Sequence, residues 1–146
     1  MTALAFTAKN ISIDTGKGSV VRPFPVATAI ATPLGKVVYV DSNGAVELAD
    51  ADVTVAESRA VGVIVAVPNT YGENSIAAGE NCSVCVFGPV FGFSALAEGT
   101  YAWVSKTAGE LDDTAPTSGA FQYIVGYCED TDTFFVNPGI AARASV

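Results

Sequence analysis

Histidine is absent from this chain, charged residues are scarce, and no apolar run is long enough to cross a bilayer as a helix. Each absence removes a class of function. Without histidine, acid–base chemistry near neutral pH falls to carboxylates tuned by burial, and the acids here gather in apparent turns. A zinc site also loses its commonest nitrogen ligand. Cys82-Ser-Val-Cys85 has CxxC spacing, but no second pair follows it. The three cysteines, an odd number, argue against a disulfide framework. If Asn81–Phe87 is a strand, positions i and i+3 point to opposite faces, so the two sulfurs diverge and read as buried structural thiols. The longest apolar stretches are Ala60–Val67, too short to span as a helix, and Cys82–Ala97, broken by Gly88, Pro89 and Gly92. The N-terminal apolar run has no basic segment before it and ends at Lys9-Asn10, unlike a secretory signal, so synthesis in a cytoplasm and no membrane partner are expected. Helical periodicity is weak, with short candidates only at Val53–Arg59 and Ile140–Ala144.

What is present is β-grammar. Of 146 residues, 50% are apolar, and they fall into short runs punctuated by glycine. That length predicts a single domain able to bury about 70% of its unfolded surface. The apolar content exceeds what one small core hides, which points to subunit or partner interfaces, or to a two-layer β fold with little polar surface. Strands are expected at Val26–Ala31, Lys36–Asp41, Ala45–Ala49, Arg59–Val67, Asn81–Phe87, Val90–Phe93, Tyr101–Ser105, Phe121–Cys128 and Thr133–Val136. In Arg59–Val67 both alternating faces are apolar, so that strand should be covered on both sides. Asp41-Ser42-Asn43-Gly44 should close a hairpin through a type I′ turn. Lys106-Thr107-Ala108-Gly109 should close another, with Gly109 as a bulge, and Glu129–Asp132 should link the last two strands. Many short strands with turn signals suit a barrel or a sandwich equally.

A gapless offset of 64 residues aligns Pro25 with Pro89, Val26 with Val90, Gly35 with Gly99, Val40 with Val104, and Val61-Gly62 with Val125-Gly126. Shared hairpin grammar and true duplication both account for it. Residues 1–24, before the first expected strand, read as an extended arm that packs poorly by itself. The tail from 139 to 146 reads the same way. The net charge of −8 is uneven: residues 1–36 carry four cations against Asp14, a net of +3, while residues 37–146 carry three cations against fourteen acids, a net of −11. An acidic body disfavours nucleic acid as a partner, and a basic arm on it suits an acidic protein surface. A solvated tail is the other reading.

The remaining motifs have plain explanations. Gly16-Lys17-Gly18-Ser19 lacks the phosphate-loop spacing and its strand–loop–helix setting. Asp41–Gly44 and Asp50-Ala51-Asp52 lack the glutamate and helices of a calcium hand and read as turns. No serine sits in G-x-S-x-G, and no histidine is there to activate one. No catalytic, metal or cofactor residue is therefore nominated. The aromatic residues (Phe87, Phe91, Phe93, Tyr101, Trp103, Phe121, Tyr123, Tyr127, Phe134 and Phe135) suit a core or an interface, with a stacking platform for sugars or bases as the alternative.

The order of motifs is similar to that of the head decoration, or capsid cement, proteins of tailed bacteriophages. The resemblance runs through Leu34-Gly35-Lys36-Val37-Val38-Tyr39-Val40, Asn43-Gly44-Ala45-Val46, Ala60-Val61-Gly62-Val63, Ala78–Val84, Phe87-Gly88-Pro89-Val90, Leu96-Ala97-Glu98-Gly99 and Ile124-Val125-Gly126-Tyr127, across residues 25–138. It implies an all-β, single-domain barrel or sandwich of β-tulip type, here with an extended N-terminal arm. It also implies a non-enzymatic virion protein on the outer capsid surface, often a homotrimer, which binds the major capsid protein and bridges its subunits. No cofactor and no catalytic residue follow from it. The arm residues Lys9, Lys17, Arg22 and Phe24 are the candidate capsid contacts. On that reading, removing residues 2–20 should abolish head binding and leave the fold intact. A tail or fibre-base module and a carbohydrate-binding module on the particle are the alternative readings. A small trimeric nucleotide hydrolase fits less well, because its phosphate and metal loops are missing.

Overall fold

A computed structural model describes residues 3–68 and 75–139. Where valines and aromatics alternate, strands form; where Asx residues and glycine intervene, the chain turns back. The strands are β1 (Ala5–Phe6), β2 (Val20–Pro25), β3 (Val37–Val40), β4 (Val46–Leu48), β5 (Gly62–Ala66), β6 (Asn81–Phe91), β7 (Phe93–Ser94), β8 (Tyr101–Val104), β9 (Leu111–Asp112), β10 (Ile124–Cys128) and β11 (Thr133–Val136). The main sheet runs β4-β3-β5-β6-β11-β10-β8-β9, with β2 also paired to β6, and β1 and β7 form a separate pair. All strand pairs are antiparallel. The sheet curls into a half-barrel, so the domain is all-β and open rather than a closed barrel.

The short helix Val55–Ser58 falls inside the helical candidate at Val53–Arg59. Thr54 caps its start: Glu57 N donates to Thr54 Oγ1 at 3.2 Å, and the Thr54 hydroxyl donates to Glu57 Oε2 at 2.9 Å. The candidate at Ile140–Ala144 lies outside the described residues, as do residues 140–146 of the expected tail.

Several strand expectations change. Val26–Ala31 is not a strand; Val26 and Ile30 make isolated bridges to Val46 and Ile76. The strand lies earlier, at Val20–Pro25, where Pro23 and Pro25 mask it in sequence. Proline is tolerated on an edge strand whose missing donors face solvent. Asn81–Phe87 and the start of Val90–Phe93 are one strand, bent at Gly88, whose φ is +107°. The β3–β4 hairpin forms, but not through a type I′ turn: within Asp41–Gly44 only Gly44 takes positive φ, +79°. The Asp41 carboxylate replaces that geometry by accepting from Asn43 N at 2.8 Å and Ala45 N at 3.0 Å.

The N-terminal segment is the main correction. It is extended as expected, but it is built into the body. Residues Val20 to Pro25 pair with β6 across six positions, Ser12 bridges Phe91, and Ala3 bridges Asp112. Ile11 and Ser19 are buried, and Ser19 Oγ donates to the Pro89 carbonyl at 2.7 Å. Leu4, Phe6, Ile13 and Val21 pack against the main core. A division at residue 24 therefore falls inside β2. The apolar alternation of this segment finds its partner face only in β6 and β7, some seventy residues downstream.

Two cores result. The larger fills the curl of the sheet with Val37, Val63, Cys85, Val104, Val125, Phe134 and their neighbours. The smaller lies on the other side of β3, β5 and the first part of β6, and holds Val26, Val38, Val46, Ile64, Cys82 and Val84. β5 is covered on both sides, as its two apolar faces require. Cys82 and Cys85 fall in different cores, on opposite faces of β6.

The 64-residue offset is structural from β3 to β5, which map onto β8 to β10, while β6 and β11 correspond through their pairing partners. β3-β4-β5-β6 and β8-β9-β10-β11 share one topology: a hairpin, a third strand on its first member, and a fourth on the third. Matching hydrogen bonds recur at that offset. Gly35 N donates to Ile64 O, and Gly99 N to Cys128 O, both at 2.8 Å. Ile64 N donates to Lys36 O at 2.9 Å, and Cys128 N to Thr100 O at 2.8 Å. Gly62 and Gly126 occupy one constraint: a Cβ there would overlap the carbonyl oxygen of Cys85 or of Phe135 respectively, on the neighbouring strand. Core positions correspond as well, Val26 to Val90, Val38 to Ala102 and Ile64 to Cys128.

Candidate interaction surface

The repeat exposes one face. Val37, Tyr39 and Val63 of the first half are buried in the larger core. Their counterparts Tyr101, Trp103 and Tyr127 lie on the outside of the second half, where Tyr101 is 43% exposed and the other two are half-buried. Phe135, which pairs with Tyr127 as buried Cys85 pairs with Val63, joins them. Antiparallel pairing places Tyr101 beside Tyr127 and Tyr127 beside Phe135. The rings meet in two clusters: Tyr101 meets Trp103 edge-on at 6.3 Å, while Tyr127 stacks on Phe135 at 5.1 Å with 18° between planes and Phe87 meets Phe135 edge-on at 5.1 Å. Phe87 is 45% exposed and pairs with Val20, itself 48% exposed. An apolar row thus crosses β2, β6, β11, β10 and β8.

This row answers the question left by the aromatic content. Phe93 and Phe134 belong to the core, whereas Phe87, Tyr101, Trp103, Tyr127 and Phe135 form a surface. Tyr127 and Phe135 stack on each other and so cover part of each other's face. That suits packing against side chains better than a flat sugar platform.

Carboxylates border the row. Glu129 and Asp130, in the turn after β10, line a shallow cavity of about 160 Å³ together with Phe135, Phe91 and Lys17. No ion pair within 4 Å is found between Lys17 and these acids among the described residues. Backbone and side-chain hydrogen bonds at Asp132 and Thr133 hold the Asp130 carboxyl below its usual range. Glu98 is exposed beside Gly99, which is tied to Cys128.

The candidate arm residues do not form one site. Lys9 and Lys17 are exposed on separate single turns, Ala8–Asn10 and Thr15–Lys17. Arg22 and Phe24 meet on β2, with the guanidinium carbon 5.1 Å from the ring centroid. The same Phe24 packs against the smaller core, so it is half structural. The signal that could have found the aromatic face lay in the offset alignment, where Val37 and Val63 become Tyr101 and Tyr127.

Other chemistry-bearing groups are structural in setting. Burial pushes all three thiols up from their ordinary pKa, and all three cysteines are free. Burial, then a hydrogen bond to Glu47 of 2.9 Å, raises Tyr39. Partial burial and the neighbouring Asp52 and Glu57 raise Asp50. Among the described residues no group of three or more His, Cys, Asp or Glu side chains could hold a metal ion. Nor is any described helix long and apolar enough to cross a membrane.

No protein-family model matches this chain, and no curated protein shows significant similarity to it.

Proposed function

We propose that this protein is a structural virion component that binds the outer surface of an assembled bacteriophage head and stabilises it by bridging major capsid protein subunits. The ordered succession of motifs from Leu34 to Tyr127 suggests that role. The observation that carries it furthest is the aromatic row on the outside of the second repeat: a small acidic β domain leaves two neighbouring ring clusters, Tyr101 with Trp103 and Phe87 with Phe135 and Tyr127, at its surface. Surface clusters of large apolar side chains of this size are often functional. On this reading the protein is not an enzyme and needs no cofactor. It is made in the host cytoplasm and acts on the particle, associating there as a homotrimer and binding neither nucleic acid nor membrane. A trimer that engages several equivalent sites on the shell at once is retained tightly by modest single contacts.

The test is co-sedimentation of the purified protein with matching empty heads in expanded and unexpanded forms. Stoichiometric pelleting with expanded heads is the expected result. No pelleting with either form refutes the reading and redirects attention to tail and fibre components.

A further inference from the structure

We infer that the aromatic face of the second repeat, rather than the basic N-terminal segment, is the surface that docks on the head, and that its site there is apolar with a basic rim. The inference rests on the proposed function and names its contact surface. Three observations carry it.

The first is the repeat itself. The Val37, Tyr39, Val63 and Cys85 face of the first half is buried inside the molecule. The corresponding face of the second half carries Tyr101, Trp103, Tyr127 and Phe135 and is open. One fold unit with one face covered internally and its twin left exposed, enriched in large rings, is a unit built to be covered by another protein. Aromatic side chains supply large contact area and are enriched among the residues that dominate binding energy.

The second is charge. Residues 37–146 carry a net −11, and Glu98, Glu129, Asp130 and Asp132 are exposed around the turn that ends the row. The rings themselves are neutral. Lys17 lines the same shallow cavity as Phe135, Glu129 and Asp130, one cation beside two acids. A complementary surface is therefore apolar at its centre and basic at its edge.

The third is size. From β6 to β8 the row crosses three gaps between strands, about 15 Å in all. With one ring each from β6, β11 and β10 and two from β8, it covers on the order of 300 Å², against ~800 Å² per partner in a stable binary interface. A pair of free copies, each of net charge −8, is poorly held by such a face. A trimer that seats three such faces on one shell at once is held by them jointly. The edge of β2 offers no substitute, because Pro23 and Pro25 remove donors that strand addition would need.

The experiment compares three proteins in titrated co-sedimentation with expanded empty heads: the intact chain, a Phe87→Ser/Tyr101→Ser double variant, and a Lys9→Glu/Arg22→Glu double variant. All are first checked by circular dichroism, thermal melting and sedimentation velocity. A single Tyr101→Glu variant stands in if the double serine variant melts early. The serine variant should bind at least about 10-fold more weakly, with the charge-reversed variant within about 2-fold of the intact protein. Added salt should weaken binding of the intact chain. Equal binding by the serine variant, or loss confined to the charge-reversed variant, overturns the inference and leaves the proposed function standing. A serine variant that binds heads normally but loses self-association makes the occupant a second copy and also overturns it. Failure of the intact chain to bind removes the proposed function, and this inference with it.

Discussion

The two repeats of this molecule share a topology and differ in what covers them. In the first, β3, β5 and the start of β6 lie between two cores, and Ile64, Val63 and Val84 are fully buried. In the second, β8, β10 and β11 bury one face in the larger core and show the other to solvent. Side-chain choice follows. Small β-branched residues fill the doubly covered strands, while Tyr101, Trp103, Tyr127 and Phe135 stand on the open face. The larger core therefore joins opposite faces of two equivalent sheets, so a residue and its counterpart 64 positions on need not share a burial class. The comparison teaches that a repeated fold unit transmits its backbone constraints intact and its surface chemistry not at all.

Deleting residues 3–19 tests whether the second repeat stands without its strap. That segment supplies Phe6, Ile11 and Ile13 to the larger core, so its loss should cost about 5 kcal/mol or more. The truncated chain should fail to give a cooperative urea transition; a wild-type midpoint would show the segment to be dispensable. Next comes the matched pair Phe134→Ala and Val84→Ala, in corresponding strands and both fully buried. Chemical denaturation should show losses of about 3–5 kcal/mol for the phenylalanine and about 2 kcal/mol for the valine. Equal losses would break the idea that the second half gathers its stability into one large ring.

The constraint at Gly62 and Gly126 sharpens the comparison from the backbone side. Alanine at either position drives a methyl into a neighbouring carbonyl. Each should cost about 1–3 kcal/mol, with the two melting shifts alike. A harmless substitution at one site only would mean that the halves are not constrained alike. The smallest effect is expected at Asp50, whose folded pKa is raised by burial and by Asp52 and Glu57. A raised carboxyl pKa favours the folded state below the unfolded value near 3.8 and works against it as pH rises through the folded value. Asp50→Asn should therefore stabilise slightly at neutral pH, by less than about 0.5 kcal/mol. The gain should vanish near pH 3; a gain that grew on acidification would reverse the assignment.

Legibility followed the range of the forces involved. The divergence of Cys82 and Cys85 was readable because strand alternation is a local property of the backbone. The hairpins were readable because Asx and glycine residues close turns locally, although Asp41 achieves with its carboxylate what a left-handed Asn43 was expected to do. β2 was hidden because its prolines argue against a central strand, and its position at an edge is a tertiary fact. The candidate contacts Lys9, Lys17, Arg22 and Phe24 follow from the local charge and apolar pattern of a segment with no local partner. Their dispersal follows from pairing with β6, which no local pattern announces.

The sequence by itself determined an all-β chain, its hairpins and a 64-residue period, because alternation and turn chemistry act over a few residues. Only the tertiary structure decided that the N-terminal segment docks along β6 and β7, that one repeat is covered on both faces, and that the other keeps an aromatic face outside. Those outcomes depend on contacts between segments far apart in the chain, where the loss of loop entropy is offset by burial that exists only once the whole sheet has curled.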